Sequence, residues 1–548
     1  MRFLTFIFFF VTISSSLCGQ PPKWAHFQLF AGQSFDAANA IKIDSKDNYY
    51  ITTTSQNPLN PFTNDTVGAR CNFIQPVTGT YFNASLFRYD SSRNLNLSIK
   101  IENSSLGEFV IDSFGNIYIT GVFQYGDHRD AFIKKFSASG SLLWTKLVQS
   151  TLNGNDNTIT SIDLFDDGSI ILCGFSYGRQ VSLLGQMVVG PNNFITKINF
   201  NGNIIWTKNF CSDLGMGAYK VRFDKAGDIL VAGNGKIANT NNSNAVIAKL
   251  NNATGVLIWK KQFPSAGLYT PMATAIDISA NAYLFCGTFG GHIQIGDSSF
   301  MSSGASDIFL FQCDTAGNIN WAKKAGSKGR DGISSLFTGK SGITYFTGQF
   351  SNDFQFDGES FSSKGNTDVF IGAIDSLGNT RWILTGGSNL PGHNDDILFD
   401  ENGNAIAVDS KNQIHIVGET LASGNFGGLK YEAPEAIKTN GFWLTLGGNT
   451  RNATVQYDCN EMFISNASVS ISAGPNPFNS SIVVSNSKDS IMNYEICLYN
   501  GMGQLVDRRH YMSSSSVTIT EWNILPSGIY FLRINTSILS KTYKFVKK

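Results

Sequence analysis

The segment VIDSFGNIYITG, residues 110–121, contains two short strands that are joined by an Asp-Ser-Phe-Gly-Asn turn, and its second strand ends in glycine. Related segments recur along the chain: IKIDSKDNYYITT (41–53, without the final glycine), VRFDKAGDILVAG (221–233), AIDISANAYLFCG (275–287) and AVDSKNQIHIVG (407–418). A unit of this size cannot bury its own apolar face, so copies of it must stack. The repetition therefore predicts an all-β protein that is built from seven small sheets.

Each unit continues with two further strands, and the last strand carries a tryptophan four residues after a turn glycine. These residues are Trp144, Trp206, Trp259, Trp321 and Trp382, and the first unit has Leu97 instead. Glycine accepts the positive φ of a tight turn, and tryptophan supplies a large apolar surface for packing. We interpret these tryptophans as the framework that joins neighbouring blades.

The last unit lacks a tryptophan strand after GFWLTLGG (441–448), whereas KWAHFQLFAG (23–32) supplies one near the N-terminus, with Trp24 as its framework residue. We predict that this strand completes the seventh unit and closes a ring, because closure removes exposed sheet edges. The predicted fold is a seven-bladed β-propeller over residues 20–450, and an eight-bladed or open arrangement is the alternative.

These segments resemble secreted bacterial β-propeller (SBBP-type) repeats over nearly all of residues 24–450. The resemblance implies the fold and leaves the function open, because propellers carry many unrelated activities. The loops between the second and third strands vary most in length, and we expect a binding surface to be built there. They span residues 54–84, 176–192, 290–306, 351–367 and 419–440.

Both ends of the chain indicate export. The N-terminus has one basic residue before an apolar run that is too short to span a bilayer, which predicts a signal peptide at 1–19. No segment of the mature chain is predicted to cross a membrane. Lys+Arg and Asp+Glu number 41 each, so no net charge favours nucleic acid as a partner.

After a polar linker at 451–471, alternating strands over residues 472–548 predict a small antiparallel β-sandwich. Its motifs resemble the type A sorting domain of the type IX secretion system of the Bacteroidota. They are Pro475-Asn476-Pro477-Phe478, Gly503-Gln504-Leu505-Val506 and Gly528-Ile529-Tyr530. The resemblance implies that the outer-membrane translocon is a partner, and that the chain passes through the periplasm and across the outer membrane to be secreted or displayed on the cell surface.

No catalytic, metal or cofactor site is predicted. The mature cysteines show no CxxC spacing, and the six histidines show no ligand spacing. A GxSxG pattern at 174–178 lacks the helix that a nucleophile elbow requires. We therefore predict a non-enzymatic binding module for a glycan or a protein. The alternatives are a polysaccharide hydrolase or lyase with a site in the central channel, and a structural component of a surface fibre.

Overall fold

The computed structural model describes residues 22, 24–30, 36–57, 81–125, 128–150, 156–176, 180–189, 193–209, 216–236, 243–266, 271–279, 281–388, 401–421, 424–426, 429–431, 439–447, 454–458, 471–474, 482–486, 492–500, 505–514, 516–519, 525–535 and 540–547. The predicted signal peptide (1–19) lies outside these residues. The chain divides into two compact units, Met1–Met462 and Phe463–Lys548. The described residues form strands and turns without any helix, which confirms the all-β prediction, and none of their segments is an apolar helix long enough to cross a bilayer.

The described residues of unit 1 form seven sheets, and each has a core of four antiparallel strands. Strand β1 is Trp24–Phe30. Sheet 1 contains β2 (Asp36–Ile43), β3 (Tyr49–Asn57), β4 (Tyr81–Tyr89) and β5 (Leu95–Ile101). Sheet 2 contains β6 (Ser104–Ile111), β7 (Ile117–Tyr125), β8 (His128–Phe136) and β9 (Leu142–Ser150). Sheet 3 contains β10 (Asn157–Leu164), β11 (Ile170–Ser176), β14 (Asn193–Ile198) and β15 (Ile204–Asn209).

Sheet 4 contains β16 (Met216–Phe223), β17 (Ile229–Lys236), β18 (Ser243–Leu250) and β19 (Leu257–Ala266). Sheet 5 contains β20 (Met272–Ile278), β21 (Ala282–Phe289), β24 (Asp307–Asp314) and β25 (Ile319–Gly326). Sheet 6 contains β26 (Gly332–Thr338), β27 (Thr344–Phe350), β30 (Asp368–Ile374) and β31 (Thr380–Ser388). Sheet 7 contains β32 (Asn402–Val408), β33 (Ile414–Leu421), β36 (Thr439–Leu446) and, as its fourth strand, β1.

The loops between the second and third strands of sheets 3, 5, 6 and 7 form short hairpins that extend the preceding sheet. They are β12–β13 (Gln180–Leu183, Gln186–Val189), β22–β23 (His292–Ile295, Ser298–Met301), β28–β29 (Asp353–Phe356, Glu359–Ser362) and β34–β35 (Gly424–Phe426, Leu429–Tyr431). They pair with β9, β19, β25 and β31, the outermost strands of sheets 2, 4, 5 and 6. Loops that were expected to form a binding surface thus cover sheet edges.

The core of unit 1 lies between successive sheets. Strands β30 and β36 are buried along their whole length, because another sheet packs on each of their faces. A representative cluster between sheets 4 and 5 contains Phe285, Phe309 and Phe311, none of which is exposed to solvent. The repeated units therefore share their cores, as the sequence pattern indicates.

Strand β1 pairs antiparallel with β36, with Phe27 opposite Leu444. On its other side β1 pairs in parallel with β37 (Thr454–Asp458), which lies within the segment predicted to be a linker. Phe27, Leu29 and Phe30 of β1 are buried.

Contacts also join sheet 7 to sheet 1. The side-chain amide of Asn404 donates a hydrogen bond to the carbonyl oxygen of Ala38 at 3.1 Å. The Ser410 hydroxyl donates to the Asp47 carboxylate at 2.5 Å. The first and last sheets of unit 1 are therefore neighbours.

In unit 2, the residues that the structure describes form two antiparallel sheets. One is formed by β38 (Ile471–Gly474), β39 (Ile482–Asn486) and β42 (Ser516–Ile519). The other is formed by β40 (Met492–Asn500), β41 (Leu505–Ser514), β43 (Gly528–Asn535) and β44 (Ser540–Lys547). Ile482 and Val484 of the first sheet share an apolar core with Ile496, Leu498 and Leu532 of the second.

Candidate functional site

The first strands of the seven sheets line a cavity of about 750 Å³, here called the axial cavity. Each of these strands contains a β-bulge at the same register. In β16, for example, Ala218 and Lys220 stand opposite the adjacent residues Gly233 and Ala232, so that Tyr219 is the extra residue. A bulge leaves one residue outside the regular pairing and redirects its side chain.

The bulges explain the glycine that ends the second strand of six repeats. This glycine lies opposite the residue that precedes the bulge, where a backbone carbonyl approaches its Cα. A Cβ on Gly233 would lie 1.8 Å from the carbonyl oxygen of Gly217, and one on Gly418 would lie 2.0 Å from that of Asn402. In these six sheets a larger residue would displace the inner strand, whereas sheet 1 forms its bulge with Thr53 at this position.

The seven bulge residues line the axial cavity, with one member from each sheet, and are here called the bulge ring: Asn39, Gly107, Thr160, Tyr219, Thr274, Ser334 and Asn404. Six of the seven carry a hydroxyl or an amide. Some of them also bond to the next sheet, as Thr274 does when it donates to the carbonyl oxygen of Ile333 at 3.2 Å. The ring presents hydrogen-bonding groups of the kind that bind hydroxyl-rich ligands.

An ionic cluster lies next to this ring. Glu108 of β6 reaches over sheet 3, accepts a hydrogen bond from Ser161 at 2.8 Å, and forms ion pairs with Lys220 and Arg222 of β16. Lys42 of β2 lies within electrostatic range of this cluster, since the charges of Arg222 and Glu108 act on its pKa.

Two further carboxylates bridge neighbouring inner strands. Asp163 accepts a hydrogen bond from the backbone N–H of Phe223 at 2.8 Å, and Asp277 accepts one from the backbone N–H of Thr338. Burial raises the pKa of both carboxyl groups, although these hydrogen bonds act in the opposite direction. Both side chains therefore contribute to the contact between sheets.

The pKa directions follow from burial and from the neighbouring charges. Burial would raise the pKa of Glu108, but Lys220 and Arg222 outweigh it and hold this pKa well below its usual range. Burial lowers the pKa of Lys42 to about 8, and repulsion from Arg222 acts in the same direction. Glu108 is therefore ionised at neutral pH, and Lys42 carries its proton less firmly than an exposed lysine.

The predicted framework tryptophans lie on the outermost strands and pack against turn glycines of the next sheet. A Cβ on Gly255, Gly317 or Gly378 would lie 3.0, 3.4 or 2.8 Å from the indole of Trp206, Trp259 or Trp321. The same indoles donate hydrogen bonds to backbone carbonyl oxygens of Asn252, Thr315 and Ser376 at 3.0–3.2 Å.

The remaining framework residues vary in this contact. Trp144 packs against Gly202 in the same way, but its indole nitrogen has no hydrogen-bond partner among the described residues. Trp382 packs into the core between sheets 6 and 7. Leu97 of the first unit takes the tryptophan's place and packs against Gly140, where a Cβ would lie 2.6 Å from it.

Sheet 7 departs from this framework. His26 of β1 pairs with Thr445, which pairs in turn with His415, three residues before the repeat glycine Gly418. In sheet 5, Trp321 pairs with Gln312, which pairs with Leu284, three residues before the repeat glycine Gly287. The register thus places His26, rather than Trp24, at the framework position. The side chain of Trp24 lies outside the described residues.

The turn of sheet 1 that contacts sheet 7 also differs from the other turns. Arg93 occupies the position of the turn glycine with a φ of 67°. Its guanidinium donates a hydrogen bond to Thr445 at 3.0 Å and lies 4.8 Å from the ring centroid of Trp443. A cation–π contact therefore replaces the tryptophan–glycine contact at the junction of sheets 7 and 1.

In unit 2, Leu505 and Val506 begin β41, and Gly528, Ile529 and Tyr530 begin β43. Tyr530 is buried, and its hydroxyl donates to the carbonyl oxygen of Pro526 at 2.9 Å, whereas Ile529 and Val506 are exposed. The predicted sorting residues Pro475, Asn476, Pro477, Phe478, Gly503 and Gln504 lie outside the described residues.

The sequence analysis did not identify the bulge ring or the ionic cluster. A signal for the bulges exists, because the buried residues of the inner strands are spaced by three and then by two, as in Ala218, Val221 and Phe223. Regular alternation would space them by two throughout. The ionic cluster has no comparable signal, since its members come from separate units.

Comparison with solved structures found similarity to the Dos1 propeller, with 8% identity over 79% of this chain and 98% of that chain and a TM-score of 0.39. The polysaccharide lyase Uly1 is similar with 9% identity over 78% of this chain and 99% of that chain and a TM-score of 0.41. A glycosyl hydrolase from Bacteroides ovatus is also similar, with 8% identity over 51% of this chain and 84% of that chain and a TM-score of 0.25. A search of curated protein sequences found no match.

A scan against protein families matched residues 473–548 to the secretion system C-terminal sorting domain. The match covers nearly the whole segment in which the sorting motifs were recognised, and the β-sandwich of unit 2 lies within it apart from the first two residues of β38. Residues 473–548 therefore belong to the family of secretion system C-terminal sorting domains, and the chain is exported by type IX secretion to the cell surface or the extracellular space.

Proposed function

We propose that residues 20–450 form a closed seven-bladed propeller that acts outside the cell as a binding module, with the axial cavity as its ligand site. Closure is supported by the pairing of β1 with β36 and by the hydrogen bonds between sheets 7 and 1. The observation that carries the functional proposal is the bulge ring, which brings one residue from each of the seven sheets to a single cavity.

The chemistry of the ring favours a hydroxyl-rich ligand. Asn39, Thr160, Thr274, Ser334 and Asn404 offer both donors and acceptors, and Tyr219 adds an aromatic surface. Sugars combine hydroxyl groups with apolar C–H faces, and such side chains bind both. We therefore propose a glycan as the ligand.

Binding is proposed rather than catalysis because the carboxylates of the cavity region already have partners. Glu108 is held by two cations, and Asp163 and Asp277 accept backbone hydrogen bonds. A polysaccharide hydrolase or lyase remains the second candidate, because the raised pKa values of Asp163 and Asp277 are of a kind that acid–base catalysts use.

The test uses residues 20–548 on an array of bacterial, plant and algal glycans, with both retention and release of reducing ends measured. Retention without release supports a binding module, and release of sugar establishes the enzyme. Tyr219→Ala removes the largest side chain of the ring and is expected to abolish retention. Phe114→Ala is the control, because Phe114 is 83% exposed on a turn outside the cavity wall. Equal loss in both variants would contradict the assignment of the axial cavity.

A further inference from the structure

At one level of the inner strands, opposite the residue three before the repeat glycine or its equivalent, sheets 1, 3, 4 and 5 carry the charged residues Lys42, Asp163, Arg222 and Asp277. Sheets 2, 6 and 7 carry Val110, Phe337 and Ala407 at the same level. Lys42, Arg222 and Asp277 line the axial cavity, as do Glu108 and Lys220 beside them. These charged residues are here called the polar sector.

The cations of the polar sector have unused hydrogen-bonding capacity. An ammonium group has three donors, and one donor of Lys220 is directed to Glu108. Lys42 makes no hydrogen bond or ion pair with any residue that the structure describes, although it lines the cavity. Arg222 is more fully engaged, because it also donates to the carbonyl oxygens of Ile162 and Val221 at 3.3 and 3.0 Å.

Cations and carboxylates both line the cavity. The cations are Lys42, Arg129, Lys220 and Arg222, and the carboxylates are those of Asp36, Glu108, Asp156, Asp277 and Glu419. Arg129, Lys220 and Arg222 each have an ion-pair partner, whereas Lys42 has none among the described residues. A partly buried cation without a partner is costly, and an anionic group of a ligand would relieve this cost.

We propose that Lys42 and Lys220 bind a carboxylate or sulfate group of a hydroxyl-rich ligand, so that the ligand of the axial cavity is an acidic polysaccharide. This inference rests on the proposed function and adds the chemical class of the glycan. The bulge ring binds the hydroxyl groups, and the two ammonium groups select the acidic substituent.

The experiment measures the affinity of residues 20–548 for oligosaccharides of matched length that are neutral, uronate-containing or sulfate-esterified. We expect at least one acidic series to bind about tenfold or more tightly than the neutral series, since a hydrogen bond to a charged group is the stronger kind. The two acidic series identify whether the group is a carboxylate or a sulfate. Equal affinity for neutral and acidic sugars would overturn this inference and leave the proposed function intact, whereas no binding to any series would overturn both.

Substitutions test whether Lys42 causes the preference for acidic sugars. Lys42→Gln is expected to remove the preference for acidic sugars, and Lys42→Arg is expected to retain it. Lys46→Gln is the matched control, because Lys46 is exposed on the next turn of the same sheet. Thermal unfolding of each variant identifies any that has lost its structure. A folded Lys42→Gln variant that keeps the preference would contradict the assignment of Lys42.

The pH dependence of the wild-type protein gives a readout that needs no substitution at all. Burial lowers the pKa of Lys42 to about 8, and the charges of Arg222, Glu108, Asp163 and Lys220 also act on it. Affinity for the acidic ligand should therefore fall about tenfold between pH 7 and pH 9, while affinity for a neutral sugar does not change. Lys42→Arg should abolish the fall, and an unchanged wild-type affinity would count against the proposal.

Discussion

At the scale of single residues, most junctions between sheets pack a large side chain against a turn glycine, which has no side chain. The indoles of Trp144, Trp206, Trp259 and Trp321 lie where a turn residue of the next sheet would carry its Cβ, and these turns need a positive φ as well. Glycine satisfies both requirements together. The sequence predicted the turn and the tryptophan separately, but it gave no sign that they contact each other across neighbouring units.

Gly378→Ala should therefore destabilise unit 1 more than an alanine at a turn glycine without a neighbour. The change adds a Cβ 2.8 Å from the ring of Trp321 at a φ of 85°. The matched control is Gly342→Ala, which has a φ of 78° and no atom within 4 Å of the added Cβ. We expect both variants to lose about 1 kcal/mol from the backbone conformation, and Gly378→Ala to lose about 1–3 kcal/mol more from overpacking. Chemical denaturation measures the difference, and equal losses would refute the packing argument.

The junction of sheets 7 and 1 contains two buried histidines. The indole N–H of Trp443 donates to Nδ1 of His415 at 3.2 Å, so that Nε2 of the neutral ring donates to Asp409 at 3.2 Å. Burial lowers the pKa of His415, although Asp409 acts in the opposite direction. Burial and the nearby Arg93 lower the pKa of His26 to about 3. Both rings are therefore neutral in the folded protein.

This neutrality predicts acid sensitivity at the junction. An unfolded histidine takes up its proton near pH 6.5, so the stability due to His26 is fully present above that pH and is lost as the pH falls toward 3. His26→Phe keeps an aromatic ring against Trp443 and removes the titrating group. It should reduce the dependence of unfolding free energy on pH, between pH 6 and pH 4, by about 1.4 kcal/mol per pH unit. Denaturation midpoints across this range measure the slope, and identical slopes would show that His26 does not titrate there.

At the scale of elements, the four-stranded units were predictable and the additions to them were not. Strands and turns follow from alternation and from Asp–Gly spacing within one unit. The hairpins pair with a strand of the preceding sheet, so no local pattern identifies their partner. The bulges break the alternation that was used to recognise strands, and the ionic cluster joins Glu108, Ser161 and Arg222 from three different sheets.

The hairpins are expected to stabilise the protein. Phe354 of β28 is fully buried, with its ring centroid 5.2 Å from that of Phe350 and 5.3 Å from that of Phe370. Phe354→Ala should cost about 3–5 kcal/mol. Gln355→Ala, at the exposed neighbouring position of the same strand, should cost less than about 0.5 kcal/mol. Denaturation of both variants tests the hairpin's role, and a tolerated Phe354→Ala would mean that the hairpin adds little stability.

At the scale of the whole molecule, one chain carries a repeated unit, in which we propose a ligand site, and a terminal unit for export. The sorting domain was recognised from sequence because its motifs occur in order within a short segment, and the family comparison confirms the domain. The ring closure that we propose depends on residues at the two ends of unit 1. The sequence indicated this strand exchange through the tryptophan missing from the last unit, although it placed the framework position two residues too early, at Trp24 instead of His26.

Removal of β1 tests the closure. A chain that lacks residues 1–30 loses the buried side chains of Phe27, Leu29 and Phe30 from sheet 7. We expect its thermal midpoint to lie about 10 °C below that of a chain that lacks residues 1–23, which keeps the strand. Equal midpoints for the two truncations would contradict the role of β1 in sheet 7.

The pairing of β1 with β36 also sets a time scale for biosynthesis. β1 is the first strand to be translated, and β36 begins about 400 residues later, which corresponds to a delay of about 20–80 s at ~5–20 residues per second. Throughout that interval the apolar stretch WAHFQLF exists without its native neighbour. The ribosome must therefore pass residue 446 before unit 1 can be completed, so that unit 1 cannot finish folding until nearly all of it has been translated.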